Sequence, residues 1–259
     1  MLVAITRAVS PSLADCELTW LPREPIDIKR AKAQHRAYER CLEELGVRVV
    51  SLPALKNHPD AVFVEDPAIV LDEIAVITTM GCESRRGERE SLAKAILPFR
   101  PLLWMRPPAT LEGGDVMRVG RNLFVGLSAR TNEAGVAQLG EDLKPFGYSV
   151  VPMELHDCLH LKSACCYVGE DTVLINRNWV DTEPLREYRL LDVAETEPGG
   201  ANALRIADTV IMPSAFPATA AILRGAGFKV RELDLSELLK AESGVTCSSL
   251  VFDIPLNSS

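Results

Sequence analysis

Gly114-Asp-Val-Met-Arg-Val119 reads as a strand that turns at Gly120-Arg-Asn122 and continues as Leu123-Phe-Val125. A helical stretch from about Asn132 to Lys144 follows, and Ser149-Val-Val-Pro152 closes the unit as a third strand. Short β-branched runs joined by a Gly-containing turn mark a hairpin. A third strand reached through a helix marks a crossover.

The same order recurs on both sides. Upstream, Ala61 to Val70 and Ile74 to Thr79 are strands around a tight turn, Arg86 to Ile96 is helical, and Leu102-Leu-Trp-Met105 is the closing strand. Downstream, Ala164 to Val168, Thr172 to Ile175, a short helix near Glu183 and Arg189 to Asp192 form a third unit. Ala203 to Ile206, Thr209 to Met212, a helix over Pro217 to Gly225 and Lys229 to Glu232 form a fourth. Ser248 to Asp253 lacks a partner at one end and Leu2 to Thr6 lacks one at the other. Pairing them, with a helix over Ile28 to Leu45 and a strand over Arg48 to Ser51, makes a fifth unit.

Units that start about 40 to 50 residues apart suit a blade or array repeat, in which each module buries its apolar face against its neighbours. The expected fold is an α/β propeller of five strand-strand-helix-strand modules. It is a single domain over residues 1–259, with each leading strand at a central axis. An open α/β sheet is the alternative that the pattern alone leaves standing. Asn257-Ser258-Ser259 reads as a frayed tail.

Apolar residues are 47% of the chain and charged residues 25%, an ordinary globular composition. The net charge of −8 repels nucleic-acid backbones and suits a small cationic substrate. The first residues lack the apolar core of a secretory signal, and no stretch is long enough to span a membrane. The seven cysteines are irregularly spaced, which fits free thiols in a reducing, cytoplasmic setting.

Polar residues collect at the ends of the leading strands: Asp60, Glu65 and Asp66, Glu112 and Asp115, His160, and Cys247. Cys247 follows a Gly-containing turn at a loop-to-strand junction, where a thiol is accessible enough to act as a nucleophile. Its partner would be a histidine distant in sequence. His35 lies in a polar helical stretch and is expected to face solvent, and His58 lies in a loop. His156, Cys158 and His160 would share a face of a strand, a spacing that zinc could use, but no fourth ligand is near, so no metal is expected. The glycines of Glu112-Gly-Gly-Asp115 permit close backbone approach to a ligand. No phosphate-binding loop is present, since Gly225-Ala-Gly227 follows a helix rather than preceding one.

The ordered set Phe63-Val-Glu-Asp66, Ser84-Arg-Arg86, Leu111-Glu-Gly-Gly-Asp115, Val125 to Asn132, Leu159-His-Leu-Lys-Ser163 and Thr246-Cys-Ser248 resembles the dimethylarginine dimethylaminohydrolases. These belong to the guanidine-modifying (pentein) superfamily, with arginine deiminase and the amidinotransferases. The resemblance implies a five-bladed α/β propeller and hydrolysis of methylated arginine to citrulline and a methylamine, without a cofactor. It implies that Cys247 is the nucleophile, His160 the general acid and base, and Glu112 the carboxylate supporting it. It further implies substrate contacts at Leu18 (on a lid), Asp60, Glu65, Asp66, Arg85, Arg130 and Ala241. Glu65 and Asp66 would hold the guanidinium, Asp60 the amine, and the two arginines the α-carboxylate. The sequence departs from the family at Thr79-Met-Gly-Cys82 and Lys240-Ala-Glu-Ser-Gly244. The rival readings are arginine deimination on the same residues and a non-catalytic five-bladed binding module. A homodimer is compatible with the sequence, though no patch marks it.

Overall fold

The hairpin-helix-strand order is realised five times in the computed structural model, which describes residues 1–254; the tail expected at 257–259 lies outside them. Each unit is a sheet of three strands whose middle strand runs antiparallel to the leading strand and parallel to the third. Three of the antiparallel pairs are closed by tight turns that use left-handed backbone, at Gly120 (φ 60°), Glu170–Asp171 (φ 52° and 51°) and Ala207 (φ 52°). The parallel pairs need a crossover, supplied by helices Ile28–Glu44, Arg89–Ile96, Glu133–Leu143 and Pro217–Gly225. In the third unit a single 3-10 turn, Glu183–Leu185, serves the same purpose.

Leading strands Ala68–Val70, Val116–Val119, Cys165–Gly169, Leu204–Ile206 and Leu250–Asp253 all contribute to one axial cavity of about 560 Å³. The five sheets are therefore blades around an axis, and the open-sheet alternative does not apply. The ring is closed by pairing Leu2–Arg7 with Leu250–Asp253, in a register that sets Leu2 opposite Asp253. Closure makes Leu2–Arg7 the middle strand of its sheet rather than an edge. Apolar clusters fill the space between successive blades. One of them joins Tyr38 and Leu42 of the first long helix to Ile206, Ile211 and Val245.

Two expectations about local structure are corrected. The strand expected over Ala61 to Val70 is confined to Ala68–Val70, because Pro59–Val62 winds into a 3-10 turn and Pro67 cannot donate to a ladder. His35 does not face solvent: it is buried on the inner face of its helix, with Nε2 3.4 Å from Glu39 Oε1. Among the described residues no helix is long and apolar enough to cross a membrane.

Candidate active site

Glu112 leaves the second blade just before its leading strand and is fully buried. Its Oε2 lies 2.9 Å from His160 Nε2, and its Oε1 accepts the backbone N–H groups of Gly81 (3.1 Å) and Cys82 (3.4 Å). The Thr79–Cys82 segment thus serves the site through its backbone amides. Burial alone would raise the Glu112 pKa. The hydrogen bond and charge of His160, with Arg85 and Arg130 nearby, overcome it and hold the carboxyl at about 2.

His160 is placed from behind by Asp115, whose buried carboxylate accepts the Leu161 N–H at 2.9 Å and the hydroxyls of Ser128 and Thr131. Burial works against the imidazolium, but Asp115, Asp66 and Glu112 outweigh it and raise the His160 pKa to about 9. The ring is a cation at neutral pH, with Nε2 donating to Glu112 and Nδ1 4.0 Å from Asp66.

The glycines of the Glu112–Asp115 turn do allow a close approach, though to protein rather than to a ligand. A Cβ on Gly114 would stand 2.6 Å from His160 Nδ1 and 2.8 Å from Asp66 Oδ1. Gly114→Ala is therefore expected to displace the imidazole and lower kcat by roughly 10²-fold, as small misplacements of reacting groups do. Steady-state kinetics beside circular dichroism would check it; wild-type kcat in a folded variant would refute the tight seat.

Cys247 lines a small cavity, of about 20 Å³, together with His160, Glu112, Asp66, Asp60, Arg85, Arg130 and Ala241. Its Sγ accepts the Gly244 N–H at 3.2 Å. Burial, reinforced by the charges of Glu65 and Asp66, raises the thiol pKa well above the ordinary range, so the thiol is neutral while the site is empty. Asp60, in the same cavity, is pushed up to about 6 by burial.

One expected substrate contact is turned away from this cavity. Glu65 and Asp66 are adjacent in the chain, and only Asp66 lines it. Glu65 faces the axial cavity on the other side, where its carboxylate accepts Lys162 Nζ at 2.5 Å and Thr246 Oγ1 at 2.7 Å. Leu18 is half-buried on the apolar cluster that also takes in the cavity residues Ala241 and Cys247. The arginine pair is unequal. Arg85 is buried and committed to Asp66 (2.7 Å), both oxygens of Glu88, and the carbonyls of Asp60 and Phe63. Arg130 reaches only Thr19 Oγ1, at 3.1 Å, and lies 3.8 Å from Glu112.

A strap from Glu17 to Leu21 covers the cavity. The Glu17 N–H donates to Asp60, and Ser84 donates to Glu17. The consecutive amides of Thr19, Trp20 and Leu21 all donate to the carboxylate of Glu242. A cavity of 20 Å³ holds about one water, so an amino-acid substrate requires the strap to lift. Sequence reading missed Glu242, Lys162, Thr246 and Asn202 as parts of the site. Lys162 and Thr246 carried a signal, standing within two residues of His160 and Cys247 in the motifs that carry the resemblance.

The metal-like spacing of His156, Cys158 and His160 does not form a shared strand face, because the preceding strand ends at Glu154. Asp66, Glu112 and His160 do bring ligand atoms within 4.8 Å of one another. Arg85 already pairs with Asp66 there, and a second cation would be repelled.

A neutral thiol, an imidazolium clamped by a buried carboxylate, and further carboxylates in one closed cavity suit attack on a cationic carbon centre. The family model described as "N,N dimethylarginine dimethylhydrolase, eukaryotic" matches residues 20–192. The N(G),N(G)-dimethylarginine dimethylaminohydrolase of Pseudomonas aeruginosa is 36% identical over 250 residues, which is 96% of this chain and 98% of that one. The enzyme of the same name from Streptomyces coelicolor is 36% identical over 248 residues, 95% of each chain. The fold is also similar to a solved structure of DDAH from Pseudomonas aeruginosa, a cysteine-to-serine mutant complexed with citrulline, with a TM-score of 0.92. That match has 34% identity and covers 96% of this chain and 98% of that chain. On ring, site and sequence together, this chain belongs to the dimethylarginine dimethylaminohydrolase family.

Proposed function

We propose that this chain hydrolyses Nω-methylated arginine to citrulline and a methylamine, with Cys247 as the nucleophile and His160 as the proton carrier. The observation that carries this reading is the His160–Glu112 pair, a proton donor kept charged at neutral pH, on the same cavity as Cys247. The guanidinium brings a positive charge between Cys247 and Asp66. That charge offsets the carboxylates that keep the thiol neutral and so favours the thiolate.

Cys247 gives up its thiol proton to solvent as the guanidinium seats, and the thiolate adds to the central carbon. The adduct expels the methylated nitrogen as a neutral amine, which takes its proton from His160. A thiouronium on Sγ remains. Neutral His160 then removes a proton from water as the water attacks that carbon, and collapse of the adduct returns the thiol and releases citrulline. No redox step or phosphate donor enters this sequence.

Asp66 orients the guanidinium and Asp60 receives the α-ammonium, whose charge would draw its raised pKa back down. Arg130, the less committed of the two arginines, receives the α-carboxylate, with Arg85 behind it. Leu18 and Ala241 close over the chain of the substrate. Glu65 acts at one remove, through Lys162 and Thr246. The rest of the reading is a single catalytic domain over 1–259 in the cytoplasm, where its seven free thiols stay reduced, and it is compatible with a homodimer.

Asymmetric dimethylarginine incubated with the protein in EDTA should yield citrulline and dimethylamine in equal amounts. Monomethylarginine should yield citrulline and methylamine. Turnover of arginine to citrulline and ammonia, with neither methylated substrate used, would replace this reading by deimination. No product from any of the three would leave a binding module.

A further inference from the structure

Asn202 belongs to none of the groups that touch substrate, yet every polar atom of its buried side chain is spent on the two segments that do the chemistry. Its Oδ1 accepts the N–H of Thr246, the residue before Cys247, at 3.1 Å. Its Nδ2 donates to Thr246 Oγ1 at 3.0 Å and to the Lys162 carbonyl, two residues after His160, also at 3.0 Å. It stands just before the leading strand of the fourth blade, between the blade that brings His160 and the blade that brings Cys247.

The turn before the nucleophile is shaped against the same side chain. A Cβ on Gly244 would lie 2.2 Å from both Cγ and Oδ1 of Asn202. Gly244 in turn supplies the N–H that reaches Cys247 Sγ. Thr246 Oγ1 passes its own proton to Glu65, and the Glu65 N–H donates to the Cys247 carbonyl at 3.2 Å. A primary amide is the group that fits: one acceptor for an amide N–H, and two donors for a hydroxyl and a carbonyl.

We infer that Asn202 is a positioning residue, a clasp that fixes the Cys247 loop against the His160 segment and holds the Gly244 N–H on the nucleophile. The inference rests on Cys247 and His160 having the roles proposed above. Loss of the clasp frees the 243–247 turn. Cys247 then loses both its alignment and the one N–H that would stabilise its thiolate, while the groups that bind substrate stay in place.

Asn202→Ala is expected to lower kcat on asymmetric dimethylarginine roughly 10- to 100-fold with KM changed less than about threefold. It should also move the pH profile of iodoacetamide alkylation at Cys247, followed by mass spectrometry of its peptide, to higher pH. Asn202→Asp keeps the acceptor for Thr246 but loses both donors; it should show the same loss, and it carries the test if the alanine variant fails to fold. Asn176→Ala is the control for a merely structural buried asparagine, since among the described residues the Asn176 side chain bonds only Pro198 and Asn178. It should lower Tm without moving kcat or the alkylation profile.

Wild-type kcat and an unshifted alkylation profile in a folded Asn202 variant would overturn the clasp. So would losses no greater than those of Asn176→Ala. A Cys247→Ser control separates the two levels. If it is inactive while the Asn202 variants keep wild-type kcat, only the clasp fails. If it retains turnover, the nucleophile assignment fails and the clasp with it.

Discussion

Cys247→Ser is expected to lower citrulline release by on the order of 10⁴-fold or more while the protein stays folded. The size follows from the charge state of the site. His160 is raised to about 9 and is already protonated at neutral pH, so it cannot take a proton from a hydroxyl. A thiol needs only the arrival of a guanidinium to shift toward the thiolate, whereas serine would need an alkoxide that nothing in the cavity can make. Substrate should still bind, because Asp60, Asp66 and Arg130 are untouched. Calorimetric titration with asymmetric dimethylarginine beside the citrulline assay would show binding without turnover. Turnover within tenfold of wild type would remove Cys247 from the mechanism.

His160→Gln is expected to cost roughly 10² to 10⁴ in kcat, because a methylamine cannot leave without a proton. The loss should depend on the leaving group. A substrate that departs as a thiolate needs no proton, so the first half-reaction should persist and stop at the covalent stage. The adduct on Cys247 would then appear as a mass increase. In the wild type, the imidazolium is present below its pKa of about 9 and is lost above it, so kcat should fall as pH rises through about 9. The stability linkage has the same sign. A histidine whose folded pKa lies above its unfolded value contributes fully below the unfolded value, and that contribution fades as pH rises through about 9. Glu112, depressed to about 2, contributes above its unfolded value and loses that contribution only as pH falls through about 2. An alkaline limb of the kcat profile that persists unchanged in His160→Gln would refute the assignment.

The ring was legible because each module carries its own local signals. A period of two, a tight turn and a helical crossover recur in the same order, and they require no knowledge of distant contacts. The helix Pro217–Gly225 and the pairing of the first strand with the last were read this way. The cavity groups Cys247, His160, Glu112 and Asp66 were legible as an ordered set of motifs. Glu65 and Asp66 are neighbours with the same chemistry, and which one enters the cavity depends on Lys162 and Thr246, 97 and 181 positions away. Asn202 and Glu242 were missed for the same reason, since their partners lie 40 to 44 and more than 220 positions distant. His35 was misplaced because a polar helix with few apolar residues gives a weak signal for its inner face, and only the packing around Tyr38 decides it.

The pairing of Leu2–Arg7 with Leu250–Asp253 also orders events during biosynthesis. Leu2–Arg7 waits for Leu250–Asp253, and Cys247 leaves the ribosome only just ahead of that closing strand. Until that strand emerges the nascent chain carries an unsealed edge and lacks Cys247, so on the mechanism proposed it is inert toward substrate, and it is vulnerable to strand exchange with another copy. Sealing brings together segments almost the whole chain apart, a high-contact-order step that is slow by nature. Catalytic competence and release from that aggregation hazard thus arrive in the same late event, which makes the appearance of activity a direct readout of when the ring has shut.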